Sequence, residues 1–588
     1  MSVRRASDDA FFYGIAALFI SFLLLAGAGL LSAFLSGHGL PTHHVGGVFT
    51  SFAHAGDPSI AWRVPVGPSW LYWSTTGLVV LGGGVATTFA VRYAKHEERQ
   101  RVEDPTRALG LADRRDVLLA AGEKHLLQRG SILRPSLAKP GPTDLGLFLG
   151  TSRGVACYAS VEDSMVILGP PRSGKGYNLV IPFILDAPGA VITTSTRPDN
   201  LAATMTARAK RGPVGVFDPQ GLAKGVAGGL RWSPIRGCEH PETAMARASA
   251  LCAGAAGGVR DGNFWQQQTE VVVRCLLQAA AVDGRSVRDL YRWSFSPDEA
   301  KEAVEILGGS GVATPLWARA LGAVVGLEPR QRANIWSVVS SVFAPFASPE
   351  VIEQLSPAPG AEFHPAQFLR ENGTLYLLGT SAGAFATATI VSALIEDVVE
   401  TARQLASASP GARLDPPVAL ILDEAANYPL PSLGALMSEG GGTGITTVAV
   451  LQSLAQARDR WGQERAQAIW DSATSKVILG GSSNASDLHD LAKLIGERES
   501  SEVTTIHQFD GGKNISESTG QRPILDPSSL RLIKVGHGLL MLRAAKPIML
   551  TLRPWTALSD AQELGLERNA VEELLRGAAL LAGGTGGR

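Results

Sequence analysis

From residue 164 onward the chain carries eight short β-branched or aliphatic runs. They are 165–168, 190–192, 214–217, 375–378, 418–422, 447–451, 476–479 and 539–542. Several end in glycine or acidic residues, and helical segments separate them. A near-continuously apolar strand needs cover on both faces, so the pattern predicts an α/β fold with a parallel sheet between layers of helices. The interval 237–360 breaks this rhythm. Between Phe264 and Val282, the residues Trp265, Val272, Cys275, Leu276 and Ala279 share one helical face, which predicts an all-α insertion within the α/β domain.

The first run leads straight into Gly169-Pro170-Pro171-Arg172-Ser173-Gly174-Lys175. This fits G-x-x-x-x-G-K, in which loop amides and a lysine cradle nucleotide phosphates at a helix N-terminus. Residues Tyr177 to Leu185 are expected to continue as that helix despite Pro182. The position after the lysine is Gly176, where the standard motif has Ser or Thr to ligate Mg²⁺. Carboxylates and water must then hold the metal. The run 418–422 ends in Asp423-Glu424, one acid to hold the Mg²⁺ hydration shell and its neighbour to polarise the attacking water. The run 447–451 ends in Gln452-Ser453, a strand tip suited to sensing a γ-phosphate. Loop and carboxylates together read as ATP hydrolysis.

Two uncharged stretches precede this domain, 11–34 and 71–91, each long enough to cross a bilayer. Arg4 and Arg5 precede the first, and Arg92, Lys95, Arg99 and Arg101 follow the second. The positive-inside rule then places both termini in the cytoplasm and the loop 35–70 outside. Four histidines in that loop (His38, His43, His44, His54) match no metal-ligand spacing. Only 18% of the 588 residues are charged, which agrees with part of the chain lying in lipid. The net charge of −1 excludes a bulk basic field, so any contact with nucleic acid must be local. The four cysteines (Cys157, Cys238, Cys252, Cys275) form no CxxC, which excludes a disulfide scaffold.

With these residues in place, the chain resembles the type IV coupling proteins, the TraG-like membrane ATPases of bacterial conjugation and type IV secretion. The resemblance rests on many separated motifs in one order. They are the two uncharged stretches, Gly169-Pro170-x-x-Ser173-Gly174-Lys175-Gly176, Val180-Ile181-Pro182, Phe217-Asp218-Pro219 and Asn263-Phe264-Trp265. Leu422-Asp423-Glu424-Ala425-x-Asn427, Leu451-Gln452-Ser453, Leu494-Ile495-Gly496-Glu497 and Arg522-Pro523 follow. One arm of the family also has glycine after the loop lysine.

The resemblance implies a hexameric RecA-like motor in a bacterial inner membrane, using ATP and Mg²⁺ to drive single-stranded DNA, delivered by a relaxase, towards a type IV secretion channel. It implies that Lys175 binds the β- and γ-phosphates, Asp423 serves Mg²⁺, Glu424 the water, and Gln452 senses nucleotide state. The expected domains are a membrane anchor (1–100), a connector (101–160), a nucleotide-binding domain (161–236 with 361–560), the all-α insertion (237–360), and a C-terminal helix with a flexible tail (561–588).

The chain departs from the family pattern twice. Thr194-Ser195-Thr196-Arg197-Pro198-Asp199 stands where members carry an Asp-x-Lys-Gly-Glu-like stretch, with Asp199 as a partial substitute. Gly440-Gly441-Gly442-Thr443-Gly444 stands where relatives carry a Gly-Arg pair proposed to act on a neighbour's nucleotide, leaving Arg498 as the candidate for that role. These departures keep open a substrate-docking receptor with little or no ATPase activity. A septal DNA pump is a second alternative, although the residues after 542 leave little room for its usual C-terminal DNA reader.

Overall fold

The computed structural model describes residues 25–38, 50–103, 109–253, 262–380, 387–507 and 513–584. Contacts divide the chain into a smaller unit, Met1–Leu109 with Glu497–Arg522, and a larger one, Gly110–Gly496 with Pro523–Arg588.

In chain order the strands are β1 (Gly146–Ser152), β2 (Val155–Ser160), β3 (Met165–Leu168), β4 (Val191–Ser195), β5 (Val214–Phe217), β6 (Thr374–Leu378), β7 (Val418–Leu422), β8 (Ile445–Leu451), β9 (Ser475–Ile478), β10 (Glu497–His507), β11 (Lys513–Pro523), β12 (His537–Leu542) and β13 (Ile548–Thr551). The strands β10 and β11 pair with each other as a separate two-stranded sheet. The other eleven form one sheet in the order β2-β1-β13-β12-β9-β3-β8-β7-β4-β6-β5. From β9 to β5 neighbouring strands run parallel. The strands β12, β13, β1 and β2 extend the sheet by antiparallel pairing. Every residue of β3, β4, β6, β7 and β8 is buried, as strands covered on both faces require. The fold is thus the expected mixed α/β class with a large parallel sheet.

The stretch 101–160, expected as a connector, contributes β1 and β2 to the sheet. Its glycines hid β1. Gly150 has φ of +136° beside a register shift in the β1–β2 pairing, and a Cβ there would lie 2.4 Å from the Thr551 carbonyl oxygen. That glycine permits close approach of β13 instead of ending a strand.

The helices that matter for the site are α1 (Asp199–Ala209), α2 (Pro241–Cys252), α3 (Gly262–Val282), α4 (Ala388–Ser407), α5 (Leu433–Thr443) and α6 (Leu454–Trp461). Between Pro241 and Arg370 the described residues contain helices and no strand. This segment is tied to the sheet domain at Asp397 of α4. Its carboxylate accepts hydrogen bonds from Trp232 Nε1 at 2.9 Å and Arg236 Nη2 at 3.0 Å. It also pairs with Arg247 of α2 at 2.8 Å. The Arg247 guanidinium in turn lies 4.8 Å from the Trp232 ring centroid. All four cysteines are buried and free.

In the smaller unit, residues 25–35 are helical, and Ala26, Ala33, Trp62, Val66 and Tyr72 form an apolar cluster. The expected pair of membrane spans is corrected here. Among the described residues, no helix is long and apolar enough to cross a membrane. The helix Ser69–Glu103 contains the stretch 71–91, but Ser74, Thr75, Thr76, Thr87, Thr88 and Gly82 to Gly84 dilute its apolar character. Lacking charge is not the same as being apolar, because glycine and hydroxyl side chains gain little from lipid. Of the first stretch, 11–24 lies outside the described residues. The expected inner-membrane location with two cytoplasmic termini loses its basis with the spans. His43 and His44 also lie outside the described residues, and no group of three or more metal-ligating side chains occurs among the rest.

Candidate active site

The sheet order brings the C-terminal ends of β3, β8, β7 and β4 side by side, and a ligand site of an open α/β sheet lies at such ends. The loop Gly169–Gly176 leaves β3 and is anchored at its start by Gly169 N–H donating to the Leu451 carbonyl of β8 at 3.0 Å. Two residues inside it, Arg172 (φ +64°) and Gly174 (φ +85°), adopt left-handed backbone. A Cβ on Gly169 would come within 2.6 Å of Ser173 Oγ, so the turn needs glycine there. Pro170, Pro171 and Arg172 form its outer rim, with Pro171 and Arg172 exposed. Lys175 Nζ points back to the Gly169 carbonyl at 3.4 Å. Ser173 Oγ is buried without a hydrogen-bond partner.

Beyond the lysine the chain forms one π-helical turn, Gly176–Val180, and continues as the helix Ile181–Asp186. The Ile181 N–H donates to the Gly176 carbonyl. Pro182 has no N–H to offer, and the wider turn lets the helix continue through it.

Asp423 and Glu424 follow β7. Asp423 is buried, its Oδ2 accepting from Asn200 Nδ2 at 3.1 Å and its Oδ1 from the Glu424 N–H at 3.0 Å. Burial raises its pKa to about 6, and the nearby Lys175 ammonium opposes that shift. The Asp423 carbonyl is held by Thr194 Oγ1 of β4 at 2.8 Å.

Glu424 has φ of +52°, a strained backbone for a residue with a side chain. Three neutral donors fix its carboxylate. Thr196 Oγ1 (2.7 Å) and Asn427 Nδ2 (3.0 Å) donate to Oε2, and Gln452 Nε2 (3.1 Å) donates to Oε1. Gln452, at the tip of β8 between the loop strand and the carboxylate strand, thus touches the carboxylate itself. Tyr428 locks the base of the turn by donating to the carbonyls of Ser195 and Gly379, both at 2.8 Å.

Lys175, Asp423, Glu424 and Gln452 therefore converge at one end of the sheet. The altered stretch also reaches the site, through residues that the sequence did not single out. Asp199 is exposed and accepts only from its neighbour's N–H among its resolved hydrogen bonds, whereas Asn200, one residue on, is buried against Asp423. Thr196 reaches Glu424. The only available signal was their place just after β4, which became meaningful once β4 was known to lie beside β7.

The glycine run has a packing reason. A Cβ on Gly441 would lie 2.0 Å from the Glu162 carbonyl oxygen, and Gly444 has φ of +80°. Arg498 is the second residue of β10, in the smaller unit. Asp218, in the Phe217-Asp218-Pro219 motif, caps a turn by accepting from the N–H groups of Leu222 and Ala223.

Sheet order and loop together define a mixed α/β protein with a large parallel sheet and a glycine-dependent loop at the C-terminal end of β3. Residues 417–535 match the family model described as the TraM recognition site of TraD and TraG. Among solved structures, the unbound form of the bacterial conjugative coupling protein TrwBdeltaN70 is 16% identical, with a TM-score of 0.54 over 74% of this chain and 92% of that one. TrwB in complex with ADP and Mg²⁺ is also 16% identical, with a TM-score of 0.51 over 72% of this chain and 92% of that one. The same protein with a non-hydrolysable ATP analogue matches at the same values. No curated protein matches the chain. The family match and the shared fold bear out the resemblance to type IV coupling proteins.

Proposed function

We propose that this chain is a coupling ATPase, which binds ATP with Mg²⁺ and uses hydrolysis to pass single-stranded DNA, delivered with a relaxase, to a type IV secretion or conjugation channel. A homo-hexamer is the working form in this reading. The observation that carries it is the convergence of Lys175, Asp423, Glu424 and Gln452 at the ends of three adjacent parallel strands.

The residues present fit the nucleotide. Ser173 Oγ is buried with no partner inside a glycine-dependent loop, as expected where a phosphate oxygen supplies the missing partner. The solved complexes of TrwB with ADP and Mg²⁺ and with an ATP analogue support the same ligands here. The amides of Gly169 to Gly176 and the Lys175 ammonium bind the phosphates. Asp423 and water would hold Mg²⁺, which when bound would supply positive charge against that developing on the phosphates.

Glu424 takes the proton of the attacking water as the water oxygen bonds to the γ-phosphorus. The bond from that phosphorus to the bridging oxygen breaks, and its electron pair leaves with ADP. Oε2, held by Thr196 and Asn427, keeps the carboxylate in place. Oε1, held by Gln452 alone among the described residues, is the oxygen free to exchange that partner for water. Gln452 then responds to the γ-phosphate by releasing Glu424.

ATP hydrolysis by the full chain, with and without single-stranded DNA, tests the reading. Turnover that rises with DNA and vanishes in Lys175→Ala and Glu424→Gln is expected. Nucleotide binding without turnover under any condition would overturn it in favour of the docking receptor.

A further inference from the structure

Gly176 leaves the loop without the hydroxyl that the standard motif offers to Mg²⁺, and the structure puts another oxygen beside that place. A Cβ built on Gly176 would have one atom within 4 Å beyond its chain neighbours and its own helix backbone, Asn200 Oδ1, at 3.8 Å. The amide orientation follows from its other contact. Asn200 Nδ2 donates to Asp423 Oδ2 at 3.1 Å, and an ionised carboxylate only accepts, so the nitrogen faces Asp423 and the oxygen faces Gly176. The side chain is 2% exposed, held between the loop and the carboxylate at the start of α1.

We propose that Asn200 is a residue of the Mg²⁺ site, its Oδ1 supplying the neutral oxygen that Gly176 cannot. An amide oxygen is a hard donor of the kind Mg²⁺ accepts alongside carboxylate and water. The inference rests on the nucleotide reading above and deepens it. It also gives the altered stretch a task, since Asn200 immediately follows it.

Binding of a fluorescent ADP analogue to the full chain, titrated with Mg²⁺, tests this without relying on turnover. Asn200→Leu keeps the size and removes the oxygen together with the Nδ2 donor to Asp423, and restoration by a hydroxyl at residue 176 separates the two losses. It is expected to raise the Mg²⁺ midpoint about tenfold or more. Gly176 does not have positive φ and has room for a Cβ, so Gly176→Ser restores a hydroxyl at the loop itself. In the Asn200→Leu background it is expected to bring the midpoint back. In the wild-type background, where the place is already served, it is expected to move the midpoint less than about twofold.

An Asn200→Leu midpoint like wild type, or a raised one that Gly176→Ser does not restore, would overturn the proposal. A large tightening by Gly176→Ser alone would do so too, and that arm stands even where Asn200→Leu does not fold. A chain that binds no nucleotide in any variant would overturn the proposed function along with the site, whereas nucleotide binding indifferent to Asn200 would overturn only the site.

Discussion

Asp423 is a carboxylate placed where charge is costly, and its pH dependence follows from that. Its pKa of about 6 in the folded chain lies above the ordinary 3.8. Between those values the folded state holds a proton that the unfolded chain has released. The contribution of Asp423 to stability is therefore greatest below about pH 4, falls as pH rises through 6, and stays lower above, by about 3 kcal/mol for a shift of this size. Asp423→Asn should flatten that part of the curve in nucleotide-free protein, as read by denaturant midpoints between pH 4 and 7. Thr196 acts at the same scale. Thr196→Val should lower kcat about tenfold by loosening Glu424, with nucleotide affinity unchanged and Thr196→Ser close to wild type. Equal losses in both variants would assign Thr196 a purely structural role. The acids and the loop were legible in the sequence because each is written locally, a strand followed by its motif. Thr196 and Asn200 were not, because their partners Glu424 and Asp423 lie 228 and 223 residues away.

Among the elements, β3, β7 and β8 were legible as apolar runs because burial on both faces leaves no polar alternation to interpret. The strand β1 was concealed by Gly146 and Gly150, and β2 by the alanines, cysteine and serine that stand where β-branched residues would signal a strand. The helix Ser69–Glu103 misled in the opposite direction, since absence of charge resembled a membrane span while its glycines and threonines removed the hydropathy. The end of α5 shows how an absent arginine can have a steric reason. With Gly441 passing 2.0 Å, at a would-be Cβ, from the Glu162 carbonyl oxygen, Gly441→Ala should destabilise the chain by roughly 1–3 kcal/mol through backbone displacement. An unchanged urea midpoint for that variant would refute the close-packing account of the glycine run.

On the scale of the whole molecule, the helical segment between β5 and β6 is linked to the sheet domain through the hydrogen-bonded group of Trp232, Arg236, Arg247 and Asp397. Removing one member strands the others. Asp397→Ala leaves Arg247, 2% exposed, without its carboxylate and should cost about 3–5 kcal/mol. Protease cleavage within 237–360 should rise before the sheet domain unfolds, and parallel loss of both would show that the segment is not separately attached. The sequence by itself determined the class of fold and the positions of the glycine-rich loop after β3, the two acids after β7 and the glutamine after β8. Each is a short-range pattern of apolar periodicity or motif spacing, which chain neighbours alone specify. Only the tertiary structure decided that β8 lies between the loop strand and the carboxylate strand, that Gln452 grips Glu424, and that Asn200 fills the space beside Gly176. Those facts depend on strand order in a parallel sheet, where crossovers bring together residues hundreds of positions apart and no local pattern records which neighbours they will have.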